Sequence, residues 1–215
     1  MEKVIVFQGD SITDAGRSRE GDQWAGYGYP TMVKGQLGYE QPGKYVFYNR
    51  GVSGNRVVDL YARIKQDIIN LKPDYLSILI GVNDVWHEFG GHNGVDAPKY
   101  EKIYRMLIEE IQEALPACRV MILEPFVLPG TGTQSTEEEP GKWEIFRSEV
   151  EKRAAAAKRV AESYGLPFVP LQERFNAAAK TAEPAYWLMD GVHPTAMGHD
   201  LIKRAWLEAF ARLEQ

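Results

Sequence analysis

A serine after an apolar run, a glycine, an asparagine and an Asp-x-x-His pair are the residues of this chain that could together run acyl transfer. Ser11 stands in Gln8-Gly9-Asp10-Ser11, directly after the apolar residues 4–7. Taken alone, a serine there reads as a helix cap, a turn residue or a nucleophile held at the edge of a sheet. To act as a nucleophile it needs a base, a group that orients the base, and donors for the charge that builds on a carbonyl oxygen.

Histidine is the usual proton acceptor near neutral pH, and the chain has four. His193 follows Asp190 by three residues in Asp190-Gly191-Val192-His193-Pro194. That spacing can put a carboxylate against Nδ1 and leave Nε2 free as a base. Pro194 suits the start of a helix and would steady the ring. The same two residues could equally be a cap and a surface histidine. His87-Glu88-Phe89-Gly90-Gly91-His92 resembles a zinc-protease motif but holds one residue too many, and its glycine pair would break the required helix. His87 reads as a pocket wall or loop residue, and His199 as a structural or surface residue of the last helix.

Donors for an oxyanion are sought at other strand ends. Gly54, in Asn49-Arg50-Gly51-Val52-Ser53-Gly54-Asn55, would let the backbone approach a ligand closely. Asn83, in Gly81-Val82-Asn83-Asp84, offers a neutral amide donor. A turn glycine and an asparagine cap are the plain alternatives. Asp10 and Asp84 are read as structural acceptors that shape the turns under Ser11 and Asn83, with Arg50 and Arg56 meeting such carboxylates.

The elements that must position these residues alternate along the chain. Residues 4–7, 45–49, 75–80, 119–123 and 167–169 are continuous apolar strand candidates, as expected of parallel strands covered on both faces. Between them, Val57, Tyr61, Ile64, Ile68 and Leu71 share a helical face that Pro73 ends. Ile103, Leu107, Ile111 and Leu115 form a second stripe, closed by Pro116. Trp143, Phe146, Val150, Ala154, Ala157, Ala161 and Tyr164 form a third, ended at Gly165. A last helix spans about 196–213. This alternation predicts an α/β fold with a doubly wound parallel sheet and its ligand crevice beyond the strands' carboxyl ends. The segments 85–98 and 125–141 read as long irregular stretches that could wall a site.

The 215 residues are read as one domain, 1–215, with ordinary hydrophobic (44%) and charged (26%) content. A net charge of −5 argues against nucleic acid or an anionic membrane as a partner. The single cysteine, Cys118, excludes an intrachain disulfide and reads as a plain buried residue rather than a reactive thiol. No apolar stretch is long enough to span a bilayer, and residues 4–7 are too short for a signal-peptide core, so a cytoplasmic location is expected. A homo-oligomer is a common state that the aromatic content leaves open.

In order and spacing, Gly9-Asp10-Ser11, Gly54, Asn83 and Asp190-x-x-His193 resemble the conserved blocks of the SGNH hydrolases, the GDSL esterase/lipase family. The resemblance covers nearly the whole chain, with Ile12 in place of the family's leucine. It implies a flavodoxin-like three-layer α/β/α fold with a five-stranded parallel sheet. It further implies a nucleophilic Ser11, His193 as base and Asp190 holding the ring. The oxyanion hole would combine Ser11 N–H, Gly54 N–H and the Asn83 side chain, with no metal or organic cofactor. Thr13 stands where the GxSxG design of other serine hydrolases needs glycine. The stretches GDSITDAGR, NRGVSGNRVVDL, GVNDVW and DGVHPT are similar to intracellular carbohydrate acetylesterases such as acetylxylan esterases. The expected partner is a small-molecule ester, an acetylated oligosaccharide in the first place, with Trp24, Tyr27, Trp86 and Trp187 as candidate stacking surfaces.

Overall fold

In the computed structural model, which describes residues 2–214, the apolar runs form strands β1 (Lys3–Gly9), β2 (Tyr45–Asn49), β3 (Tyr75–Leu79), β4 (Arg119–Leu123) and β5 (Phe168–Val169). All pair in parallel, in the order β2-β1-β3-β4-β5. The winding reverses direction between β1 and β3, which opens a crevice beyond their carboxyl ends. Helices α1 (Ser11–Asp14) and α2 (Tyr29–Glu40) follow β1, and α3 (Val57–Ala62) and α4 (Ile64–Asp67) follow β2. After β3 come α5 (Val82–Gly91) and α6 (Ala97–Ala114), and after β4 comes α7 (Lys142–Ser163). Helices α8 (Gln172–Ala178), α9 (Pro184–Trp187) and α10 (Ala196–Leu213) complete the chain order.

Successive strand residues point to opposite faces, so each strand feeds two cores. Ile5, Phe7, Tyr75 and Leu79 meet Tyr29, Val33 and Leu37 of α2 and Ile202, Trp206 and Phe210 of α10. Val6, Leu76, Ile78 and Ile122 meet Leu60 of α3, Leu107 and Ile111 of α6, and Ala157 and Val160 of α7. A fully buried side chain of this size contributes about 1.5–3 kcal/mol, so the two layers hold the sheet between them. The expected three-layer α/β/α arrangement is therefore present. No helix among the described residues is long and apolar enough to cross a membrane. Cys118 is half-buried, and burial pushes its thiol up to about 12.

Three local readings change. The stretch 85–98 is not one irregular loop, because α5 runs through Gly91 and α6 starts at Ala97. Val82 and Val85 are buried on one side of α5, and the glycine pair ends the helix, with His92 in the left-handed region at φ 47° as its cap. The stripe 57–71 is broken at Arg63 and Ile68 into α3, α4 and a short 3₁₀ turn. Helix α2 was not anticipated from apolar periodicity; its signals are Pro30 in the first turn and the buried Tyr29, Val33 and Leu37 at i, i+4, i+8.

The end of β1 sets where the crevice begins. A Cβ on Gly9 would lie 2.3 Å from Thr13 Oγ1 and 2.4 Å from Leu79 O, so only glycine lets α1 turn back against the sheet at once. Gly9→Ala is expected to destabilise the protein by about 3 kcal/mol, the upper range for overpacking. Denaturant unfolding checks this, and a loss below about 1 kcal/mol would mean that the turn relaxes freely.

Candidate active site

The crevice gathers residues from the ends of β1, β2 and β3 and from the turn before α10. Asp10 caps α1, accepting the Ile12 N–H at 3.0 Å, and this fixes Ser11 as the first residue of the helix. The first N–H groups of a helix have no partner within it, so Ser11 N–H is free to meet a ligand. From the far end of the chain, His193 brings Nε2 to 2.9 Å from Ser11 Oγ. Its Nδ1 lies 2.7 Å from Asp190 Oδ2, while Asp190 Oδ1 accepts the N–H groups of Val192 at 2.9 Å and His193 at 2.8 Å. The carboxylate thus shapes the turn and faces the imidazole with its other oxygen.

That turn is braced by the segment 125–141. Leu128 N–H donates to Gly191 O at 2.9 Å and Gly132 N–H to Asp190 O at 2.9 Å. Gly191 has φ +96°, and a Cβ there would lie 2.4 Å from Leu128 O, so the close approach needs glycine. Trp86, on α5, closes this side, its ring 5.8 Å from that of His193 and 5.8 Å from that of Phe146 on α7.

The other two predicted donors sit opposite. Asn83 lies in the first turn of α5, where its Nδ2 donates to Asn55 O at 3.1 Å and keeps a second hydrogen for a ligand. Gly54 has φ +81°, and neither its N–H nor that of Ser11 finds a protein acceptor among the described residues. His87 is one turn beyond Asn83, and its Nε2 would lie 3.9 Å from a Cβ on Gly54, which makes it part of the wall. His92 is exposed, 4.0 Å from Glu88. Of the other aromatic candidates, Tyr27 packs against His199 and Trp187 against Tyr186. Trp24 and Tyr27 are mostly exposed, and Trp187 lines a groove with Met197, Leu201 and Arg204 along α10. His199 is buried, and its Nδ1 accepts the Tyr29 N–H at 3.2 Å, which makes it a structural residue. Burial and the charge of His193 hold it down at about 4.

Several residues that hold the site were not visible in the sequence. Asp14, buried at the end of α1, accepts from Ser53 N at 2.9 Å and Ser53 Oγ at 2.8 Å, directly before Gly54. Asn49 donates to Thr13 O at 2.7 Å and accepts from Gly51 N at 2.9 Å. Arg63 donates to Gly9 O at 3.2 Å, Arg50 O at 2.8 Å and Asn55 Oδ1 at 2.7 Å. Apart from the Asn49–Gly51 bond, two residues apart, and the Arg63–Asn55 bond, eight apart, the partners are distant in sequence, so little local pattern marks them; the nearest signal is Asp14 three residues after Ser11. Arg50 and Arg56 do meet carboxylates, but these are Asp22 and Asp59 rather than Asp10 or Asp84. Asp84 instead accepts the Val57 N–H at 3.1 Å.

The electrostatics separate the acids. Burial alone would raise Asp190, but the His193 ring and the N–H groups of His193 and Val192 outweigh it and hold the carboxyl at about 2. Asp190 in turn raises His193 above its ordinary 6.5, against a smaller opposing effect of burial. Burial pushes Asp10 and Asp84 up to about 7, although backbone N–H groups favour their ionised forms. A serine hydroxyl bonded to a neutral imidazole, with three donors nearby, can attack an ester carbonyl and stabilise the resulting anion.

The profile of the GDSL-like lipase/acylhydrolase family matches residues 7–201. The chain belongs to that family. It is 37% identical over 213 residues to an acetylxylan esterase of Geobacillus stearothermophilus, covering 94% of this chain and 91% of the other. The crystal structure of an acetylxylan esterase from that organism superposes with a TM-score of 0.82 at 35% identity, covering 96% and 93% of the two chains. An alpha/beta hydrolase from the metagenome of Lake Arreo, Spain, superposes with a TM-score of 0.83 at 31% identity over 97% and 95%. The protein is a carboxylic ester hydrolase.

Two outcomes follow from the charges. Hydrolysis of an aryl acetate should rise with pH as His193 loses its proton, with a midpoint above 6.5 because Asp190 favours the protonated ring. Asp190→Asn should lower kcat about 10⁴-fold and move the midpoint down, since the raising charge is gone; pH–rate profiles of both proteins check this. The raised Asp84 carboxyl favours folding while neutral, so stability should fall as pH rises through about 7. Asp84→Asn should reduce that fall in urea unfolding between pH 5 and pH 8, leaving the part due to Asp10, and an unchanged difference would place the effect elsewhere.

Proposed function

We propose that this protein removes acetyl groups from carbohydrate, acetylated xylo-oligosaccharides in the first place, through an acyl-enzyme on Ser11. The observation that carries the reading is the continuous chain from Ser11 Oγ to His193 Nε2 at 2.9 Å and from His193 Nδ1 to Asp190 Oδ2 at 2.7 Å. Support for the substrate class comes from the acetylxylan esterase to which the chain is 37% identical.

Ser11 Oγ attacks the acetyl carbonyl carbon as its proton passes to His193 Nε2. Negative charge gathers on the carbonyl oxygen, where Ser11 N–H, Gly54 N–H and the free hydrogen of Asn83 Nδ2 meet it. Each such donor contributes on the order of 3 kcal/mol to the transition state. The tetrahedral intermediate collapses as the sugar oxygen leaves and takes the proton from Nε2. Water then attacks the acetyl-serine with His193 again as base, and acetate departs. Asp190 stays ionised throughout and stabilises the imidazolium formed in each half-reaction. The leaving oxygen must lie within reach of His193 Nε2, which brings the sugar close to the Trp86 indole, a flat surface suited to stacking. Trp24, Tyr27 and Trp187 have no comparable position in this scheme.

The test compares kcat/KM on acetylated xylo-oligosaccharides with aryl esters of increasing acyl length, for the unmutated protein and Ser11→Ala. The expected result is a preference for the sugar acetates, a sharp loss beyond about four carbons and a fall of about 10⁶-fold in kcat for Ser11→Ala. Equal turnover of long acyl chains would assign a broader esterase, and unchanged hydrolysis by Ser11→Ala would refute the nucleophile.

A further inference from the structure

The segment 50–55, which carries Gly54, has a second cavity beside it. This cavity of about 490 Å³ is lined by Arg17, Arg19, Arg50, Val52, Gln66 and Asp67. Three guanidinium groups therefore face one space on a chain whose net charge is −5. Most of the local charge is matched: Arg19 pairs with Asp14, Arg50 with Asp22 and Arg63 with Asp67. Arg17 is the exception. Its Nε donates to Gly51 O at 2.7 Å and its Nη1 to Ser18 O at 3.2 Å. Among the described residues its guanidinium forms no ion pair within 4.0 Å. Four arginines against three carboxylates leave one positive charge unmatched, and it falls on the residue whose Nη2 hydrogens are uncommitted. Burial and the charges of Arg19 and Arg50 act against the protonated form of Arg17, and the nearby charges of Asp14 and Asp67 offset them only in part. The Nε of Arg50 is also buried without an acceptor. An arrangement that crowds like charges and leaves donors unused is stabilised by an anion.

We propose that this cavity binds the anionic oxygens of a ligand, a carboxylate or a phosphate group, with Arg17 as the anchor and Arg19 and Arg50 beside it. The planar guanidinium fork matches either group in a two-point contact. Val52 lines the cavity and Gly54 follows two residues later, a span of at most about 7 Å of chain. A carboxylate carried by a sugar next to the acetylated one could thus enter the cavity while its neighbour occupies the crevice. A free phosphate presents the same chemistry.

Calorimetric titration of the unmutated protein at low ionic strength with glucuronate, glucose and inorganic phosphate tests this. The expected result is binding of glucuronate, phosphate or both, none of glucose, and weakening on addition of salt. Arg17→Gln keeps an amide that can reach Gly51 O while removing the charge, and it should raise the dissociation constant about tenfold. Tighter binding of glucuronate identifies an acidic sugar as the ligand, and tighter binding of phosphate a free anion site. Failure of both anions to bind, or equal binding by Arg17→Gln, overturns the proposal. Should Arg17→Gln not fold, Arg19→Gln, whose native side chain is 51% exposed, is measured instead against the same criterion. These titrations use no ester, so their outcome is independent of the role of Ser11.

Discussion

The hydrogen bond between Ser11 Oγ and His193 Nε2 joins groups 182 residues apart, and most of the surrounding structure serves to fix its two ends. At one end the chain leaves β1 through Gly9, whose lack of a side chain permits an immediate turn, and Asp10 caps the short helix that starts with Ser11. At the other end the turn 188–194 is tied by its own carboxylate and by backbone bonds from the segment after β4. Neither end could hold its position alone. A four-residue helix is too short to be stable by itself, and a turn with glycine at φ +96° gains its shape from packing. The parallel sheet supplies the common edge from which both are hung.

Four acids stand near this centre, and their environments give them different work. Asp190 is half-exposed and receives one imidazole and two backbone N–H groups, which keep it ionised far below neutrality. Asp10 and Asp84 are fully buried, and at about 7 each is partly protonated where the enzyme would work. A group that gains and loses its proton near neutral pH is a poor fixed counter-charge for an imidazolium. Asp190 is therefore the acid suited to orient His193, although Asp10 is the immediate neighbour of Ser11 in sequence. Asp14 serves a third purpose, holding the backbone that precedes Gly54.

Much of this was legible in the sequence because strand ends and helix starts have local chemistry. Continuous apolar runs marked all five strands, and the acid three residues before His193 marked the paired turn. What escaped was whatever depends on distant partners. Arg63 interrupts the stripe 57–71 so that its guanidinium can reach Gly9 O and Arg50 O, a bond pattern invisible to helical periodicity. The residues after Asn83 looked irregular because of their histidines and glycines, yet the buried Val82 and Val85 carry the helix through them. Trp86 and Trp187 were equivalent as sequence, and only the fold sets one ring beside His193 and the other along α10.

The segment 50–55 shows why such distant partners matter. It belongs to no strand or helix, so its backbone shape is set by bonds from Arg50 N to Phe7 O, Val52 N to Gly9 O and Asn55 N to Val52 O, together with the side chains of Asn49, Asp14, Arg17, Arg19 and Arg63. Donors to an oxyanion lower a barrier only when they are already in place, since reorganising them would consume the stabilisation they give. Gly54 at φ +81° is free to rotate in an isolated chain and is fixed here because Ser53 before it is bonded to Asp14 and Asn55 after it to Asn83 and Arg63. Asn83 is thus both a donor to the proposed oxyanion and a strut for the neighbouring donor. Its single hydrogen bond to Asn55 O couples the strand ends of β2 and β3, so the geometry of the oxyanion site is a property of the sheet rather than of any one loop.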